Sequence, residues 1–199
     1  MRELHDKYFK LAKKEGKLAR SYYKLQEIDR REKIFDKNVH SSIDLGASPG
    51  SWLEYALEKT AGSAVICAVD IKLIAPKFKG KVQFKLADIR DVPVCAFAAV
   101  AEKFDVVLSD MAPSTSGVRV IDQARSLELC ETAATFALAN LRPGGKFVCK
   151  IFEGPEVASF RKGLQKHFAE VKLFKPDASR DESFEIYVIG LGFKPESRN

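Results

Sequence analysis

The pattern of apolar and polar positions divides the chain after residue 37. Residues 3–15 read as a basic amphipathic helix, and residues 20–31 as a second helix with Ser21 placed to cap it. From residue 38 onward short apolar runs alternate with helical stretches. Strands are expected at Ser41–Gly46, Ala64–Asp70, Val82–Asp88, Phe104–Asp110, Lys146–Phe152, Val171–Lys175 and Glu185–Phe193. Helices are expected at Trp52–Lys59, Val94–Glu102, Val120–Asn140 and Pro155–Phe168, the third stopped by Arg142-Pro143-Gly144-Gly145. Apolar strands separated by helices predict an α/β fold with a mostly parallel sheet covered on both faces. The last two strands have no helix of crossover length between them, so they predict an antiparallel pairing at the end of the sheet.

Composition sets the class of protein. The 199 residues suffice for one domain with a full core, and 46% apolar with 30% charged residues is the balance of a soluble globular chain. No run approaches the ~20 apolar residues of a membrane helix. The N-terminus has neither a signal core nor an acid-poor transit tract, so a cytoplasmic location is expected. Cys67, Cys95, Cys130 and Cys149 form no Cys-x-x-Cys unit, and His5, His40 and His167 are scattered, so neither disulfides nor a structural metal is expected.

Charge changes the picture more. The net charge is +6, and residues 1–37 hold twelve Lys or Arg against seven acids, a surplus of five. A second basic stretch runs from Arg161 to Arg180. Concentrated positive charge favours a polyanion, because neutralising phosphates releases counterions. Tyr8, Phe9, Tyr22 and Tyr23 are interleaved with the basic residues, which permits base stacking. A merely solvated helix face is the plainer alternative.

The first strand runs into Asp44-Leu45-Gly46-Ala47-Ser48-Pro49-Gly50-Ser51-Trp52, a strand, Gly/Pro turn and helix that bring backbone close to a ligand. The loop matches neither Gly-x-Gly-x-x-Gly nor the phosphate-cradling Gly-x-x-x-x-Gly-Lys-Ser/Thr. Asp70 ends the second strand, 24 residues after Gly46, where an acid can accept both ribose hydroxyls. Asp88 ends the third strand and could take an adenine amino group. Together with Asp110 these place three acids at strand C-termini, where open α/β sheets bind ligands. Any one of them is also an ordinary cap or turn residue; three in register favour a site. The acids suit a cofactor with cationic groups better than a polyphosphate.

Charge also interrupts apolar segments. Lys150 sits inside Lys146–Phe152, Asp110 follows Phe104–Leu108, Glu185 opens the last strand, and Lys24 lies between Tyr23 and Leu25 on the second helix. A buried ammonium needs a partner or an unusual pKa. Two structural ion pairs and a catalytic centre are both consistent with these four residues.

Five segments then resemble the FtsJ/RrmJ (RlmE-type) 2′-O-methyltransferases. They are Arg20-Ser21-Tyr22-Tyr23-Lys24-Leu25; the loop from Asp44 to Trp52; Ser109-Asp110-Met111-Ala112-Pro113 with Ser116-Gly117; Lys150-Ile151-Phe152-Glu153-Gly154; and Lys175-Pro176-Asp177-Ala178-Ser179-Arg180 followed by Ser183-x-Glu185-x-Tyr187. The family usually has Gly-Gly where this chain has Gly50-Ser51, and Gly-Asp where it has Ala87-Asp88.

The resemblance implies a Rossmann-like methyltransferase sandwich: seven strands, an antiparallel C-terminal strand, and one catalytic domain with residues 1–37 as a basic arm and 38–199 as the core. It implies S-adenosyl-L-methionine as cofactor, held by Gly46, Gly50, Trp52, Asp70, Asp88 and Asp110. The family's Lys-Asp-Lys-Glu tetrad falls on Lys24, Asp110, Lys150 and Glu185. The implied substrate is a uridine 2′-hydroxyl of ribosomal RNA within the large subunit, modified by a monomer without a metal. Lys150 would orient that hydroxyl and take its proton, its pKa lowered by burial and by the Lys24 cation; taking the proton and merely steering an oxygen lone pair are both open at this point. Other readings are a tRNA 2′-O-methyltransferase, a small-molecule methyltransferase, which would not need the basic arm, and a non-catalytic RNA-binding assembly factor, which would not need the tetrad.

Overall fold

The computed structural model describes residues 2–60, 64–93, 95–179 and 183–195, with side chains from residue 7 onward. Val94 and Arg180, which the sequence places at a helix start and in a basic stretch, lie outside the described residues. The helices are α1 (Arg2–Lys14), α2 (Ser21–Glu32), α3 (Ser51–Lys59), α4 (Arg119–Asn140) and α5 (Val157–Leu164). The strands are β1 (Ser41–Leu45), β2 (Val65–Asp70), β3 (Gln83–Leu86), β4 (Phe104–Ser109), β5 (Leu141–Phe152), β6 (Phe168–Phe174) and β7 (Glu185–Phe193). One sheet is ordered β3-β2-β1-β4-β5-β7-β6. The pairs among β3, β2, β1, β4 and β5 are parallel, and β7 is antiparallel to both β5 and β6.

Helices cover both faces, which is why β1 and β4 are buried at every position rather than alternately. Strand alternation sends Leu45, Val107, Cys149 and Val188 to the face beneath α4. It sends Val106, Leu108, Val148, Tyr187 and Ile189 to the face beneath α2, where Tyr22, Leu25 and Ile28 meet them. The basic arm is therefore part of the core: α2 buries one face while its Arg30 and Arg31 remain toward the outside.

Four elements differ from the sequence reading. Ser21 is not the cap of α2 but its first helical residue; Arg20 precedes it with helical dihedrals, and no side chain caps the helix. Residues 95–100 form successive turns, not a helix. Their bonds are mostly of the i→i+3 kind, as in Ala98 to Cys95 and Val100 to Phe97, and Phe97 alone of this segment's large side chains anchors in the core, 6.4 Å from Phe104. One anchor gives too little apolar face to propagate a helix. The segment Arg142-Pro143-Gly144-Gly145 does end α4, but the chain enters β5 at once, and a register shift against β4 between Phe104 and Val106 absorbs it. Finally, α5 stops at Leu164, because Phe168 is already claimed by the sheet, stacked 6.3 Å from Phe147.

Candidate active site

Parallel strands place their C-termini along one edge. There Gly46, Ser48, Asp70, Asp88, Asp110 and Met111 line a cleft of about 520 Å³, closed on one side by Arg125, Glu128 and Leu129 of α4. Gly46 turns the chain out of β1 at φ +79°, and a Cβ there would sit 2.4 Å from the Met111 Cγ. Only glycine meets both demands. Asp70 accepts backbone N–H bonds from Ser48 and Lys72, each 2.7 Å, which fixes its carboxylate at the cleft rim. The Asp88 carboxylate is held by Arg90, which donates from its backbone N–H (3.0 Å) and from its guanidinium. These guanidinium bonds hold the Asp88 carboxyl at about 2.

Gly50 and Trp52 stand apart from the cleft lining. Gly50 opens α3 at φ +115° with the Phe78 ring where a Cβ would go. The buried Trp52 donates from Nε1 to the Ser21 carbonyl (2.9 Å) and packs 5.8 Å from the Tyr187 ring. These two residues set the loop after β1 against α2 and β7, behind the cleft.

Lys24, Asp110, Lys150 and Glu185 come together from α2, the end of β4, β5 and the start of β7. Lys24 Nζ bonds Glu185 Oε2 at 2.5 Å. Lys150 Nζ lies 3.1 Å from Asp110 Oδ1 and donates to the Asp110 carbonyl at 2.6 Å. Tyr187 donates from its hydroxyl to Asp110 Oδ1 at 2.8 Å. The register makes this possible: Lys150 pairs with Tyr187, and Phe152 with Glu185, across β5 and β7. Asp110 thus belongs to both the cleft and the ion-pair network.

Two ammonium and two carboxylate groups share one mostly buried site, and burial penalises all of them. For Asp110 and Glu185 burial pushes the carboxyl up, but Lys150 and Lys24 outweigh it, so both fall below their ordinary values. Lys150 behaves oppositely to the sequence expectation. Burial pulls its ammonium down, but the carboxylates of Asp110 and Glu185 more than compensate, leaving it above an ordinary lysine. Lys150 therefore keeps its proton within this network, where its ammonium donates hydrogen bonds. The Tyr187 hydroxyl is pushed well up by burial and by Asp110, so it remains a donor.

The sequence reading missed two residues. Asp44 in β1 is buried, and its Oδ1 has no hydrogen-bond partner. Burial, then the carboxylates of Asp110 and Asp70, push it well up. Its signal was an acid within an apolar strand, the criterion already applied to Lys150. Tyr187 lay inside the motif that starts at Ser183; only the β5–β7 register shows that its hydroxyl reaches Asp110.

A sheet of this order, with one antiparallel strand inserted near its end and an acid-edged cleft at the strand C-termini, defines a Rossmann-like methyltransferase. A family model described as FtsJ-like methyltransferase matches residues 18–193. The chain belongs to the FtsJ-like methyltransferase family. It is 48% identical over 189 residues, 94% of this chain and 95% of the relative, to the ribosomal RNA large subunit methyltransferase E of Syntrophobacter fumaroxidans. To the protein of the same name from Bdellovibrio bacteriovorus it is 43% identical over 192 residues, 95% of this chain and 97% of the relative. Among solved structures it resembles one described as a ribosomal RNA methyltransferase from Plasmodium falciparum, with TM-score 0.78, 27% identity, and coverage of 88% of this chain and 97% of that one. Among the described residues no cluster of His, Cys, Asp and Glu is arranged to hold a metal ion, and no helix is long and apolar enough to cross a membrane.

Proposed function

We propose that this chain transfers a methyl group from S-adenosyl-L-methionine to a ribose 2′-hydroxyl of RNA, at a uridine of the large-subunit ribosomal RNA, in the cytoplasm and as a single-domain monomer. The observation that carries the reading is Asp110, shared between the ligand cleft and the Lys24–Glu185–Lys150 network.

The cleft fits the cofactor. A rim of carboxylates from Asp70, Asp88 and Asp110 suits a ligand bearing hydroxyl, ammonium and sulfonium groups. Asp70 is placed to accept from ribose hydroxyls and Asp88 from an adenine amino group. When bound, the cofactor supplies an activated methyl on sulfur. The chain's own task is to hold the hydroxyl in line with it. The Lys150 ammonium donates to the 2′-oxygen and turns the other lone pair toward the methyl. Asp110 fixes Lys150, and Glu185 fixes Lys24. The hydroxyl proton passes to solvent water after the C–O bond forms, when the oxygen is cationic and water is base enough to take it.

The basic arm supports an RNA substrate. A groove of about 860 Å³ beside α1, α2 and the end of β6 is lined by Lys7, Arg30, Arg31, Tyr8 and Phe174, with Glu15, Glu27 and Asp177 balancing its cations. Tyr8 and Tyr23 lie 5.6 Å apart, and the Arg31 guanidinium lies 4.9 Å from the Phe174 ring centre. The exposed Arg30 and Arg31 beside the half-buried Tyr8 and Phe174 rings offer an RNA strand cations and stacking faces at the groove's rim. The names of the two bacterial relatives favour ribosomal RNA among the possible targets.

The test is tritiated methyl transfer to large ribosomal subunits lacking the modification, free ribosomal RNA and bulk tRNA, with nucleosides mapped by mass spectrometry. The expected product is 2′-O-methyluridine in large subunits. Label in tRNA would move the substrate, and no label with cofactor binding intact would refute catalysis. Lys150→Ala should abolish transfer while cofactor binding survives; full turnover would refute its assignment.

A further inference from the structure

One exposed aromatic ring stands at the strand C-terminal edge of the sheet and takes no part in the tetrad. Phe184 directly precedes Glu185, and its ring is 45% exposed although large apolar side chains gain from burial. The Arg119 guanidinium lies over it, 4.1 Å from the ring centre. Arg119 is the first residue of α4 and is itself exposed. The pair bridges two segments that flank the site, the β4–α4 loop on the cofactor side and the approach to β7 on the tetrad side.

The backbone beneath the ring is fixed. The Phe184 carbonyl accepts from the Glu153 N–H at 2.7 Å, and the Glu153 carbonyl accepts from Gln123 Nε2 at 2.6 Å, which ties it to α4. Val118, Val120 and Ile121 continue the exposed apolar surface along the start of α4. A rigid, solvent-facing ring under a guanidinium is a surface for a flat, polarisable, electron-rich partner. Alternation along the chain turns the Phe184 ring to the α4 face and Glu185 to the α2 face, so the ring flanks the strand C-terminal edge from the side opposite the Lys24–Glu185 pair.

We propose that Phe184 and Arg119 form the stacking platform that receives the nucleobase of the nucleotide being methylated. This rests on the reading of the chain as an RNA 2′-O-methyltransferase. The tetrad lysines are buried, and in a helical stack the 2′-hydroxyl lies in a shallow groove between neighbouring riboses, so the target nucleotide must leave its neighbours to reach them. Stacking on the exposed pair replaces the base–base stacking given up and sets the ribose over Lys150. Phe184 is then a positioning residue, and it acts on the RNA without touching the cofactor cleft.

The test compares wild type, Phe184→Leu, Phe184→Trp and Arg119→Ala on large ribosomal subunits lacking the modification. It reads KM and kcat for the particle, cofactor affinity and the melting temperature. Phe184→Leu keeps apolar bulk but not the ring. It should raise KM for the particle by about tenfold or more, the scale of removing one base–aromatic stack. Phe184→Trp should bring KM back to within about threefold of wild type, since a larger ring stacks as well. Arg119→Ala should raise KM by less than Phe184→Leu. Cofactor affinity and melting temperature should not move. An unchanged KM in Phe184→Leu would overturn the platform, as would a Trp variant as impaired as the Leu variant. Loss of cofactor affinity or stability in step with KM would assign the ring a structural role instead. If wild type methylates no RNA at all, the functional reading fails and takes this inference with it.

Discussion

Replacing Lys150 by Met keeps the length of the side chain and removes its charge. The structure shows what is left behind: Asp110 loses an ammonium 3.1 Å from Oδ1 and a hydrogen bond of 2.6 Å to its carbonyl, while Tyr187 and the more distant Lys24 remain. Two carboxylates of the site then face one ammonium, with Asp44 close behind. Breaking one side of a buried pair costs about 3–5 kcal/mol. For a chain of this size that lowers the melting temperature by about 6–20 °C, at roughly 2–4 °C per kcal/mol. Asp110→Asn added to Lys150→Met removes the stranded charge while keeping an acceptor for the Tyr187 hydroxyl. The double variant should therefore be more stable than the sum of the singles by about 1–3 kcal/mol. The assay is chemical denaturation of wild type, both singles and the double, closed into a thermodynamic cycle. Additivity within about 0.5 kcal/mol would refute the coupling of Asp110 to Lys150. All three variants should lack methyl transfer.

Further outcomes follow from other parts of the molecule. Gly46→Ala meets both a positive φ and the Met111 side chain, so it should cost about 1–3 kcal/mol of stability and abolish cofactor binding, read by denaturation and calorimetry. The tetrad makes stability depend on pH at both extremes. Asp110 and Glu185, held below their ordinary values, contribute stability present above the unfolded carboxyl range and lost as pH falls through their lower folded values. Lys150, held above its ordinary value, contributes stability present below the unfolded lysine pKa and lost as pH rises through its folded value. A denaturant midpoint that does not fall on either side of the neutral range would contradict this. Asp44 has the opposite sign, because its pushed-up carboxyl favours folding only while protonated. Asp44→Asn should thus stabilise the free protein at neutral pH by about 0.5–2 kcal/mol; a destabilised variant would contradict the account. Arg30→Ala with Arg31→Ala should weaken RNA binding and flatten its dependence on log salt by about 0.7 for each phosphate no longer neutralised. An unchanged slope would remove the groove beside α2 from the RNA path.

Much of the fold was legible in the sequence, because burial on two faces writes continuous apolar runs and helices write their own period. The strands from Ser41, Phe104 and Glu185 begin where the sequence places them. The failures fall where tertiary packing overrides local preference. The segment after Pro93 has helix-forming alanines but one core anchor, and it becomes turns. The Pro-Gly-Gly segment before Lys146 has the composition of a loop, yet pairing to β4 draws it into a strand. Phe168 has a place in the periodicity of α5 but stacks on Phe147 in the sheet.

For the site, the sequence by itself determined which residues carry charge into apolar surroundings: Lys24, Asp110, Lys150 and Glu185, with Asp70 and Asp88 at strand ends. Charge in an apolar run is costly, so its presence there is informative without coordinates. Only the tertiary structure decided how these charges pair, that Tyr187 reaches Asp110, and that Trp52 braces the loop from behind the cleft. It alone set the sign of the Lys150 shift, since that sign depends on whether burial or two neighbouring carboxylates dominate. Their separation from the Lys150 ammonium is fixed by the register of β5 against β7 and β4, which brings together residues far apart in the chain.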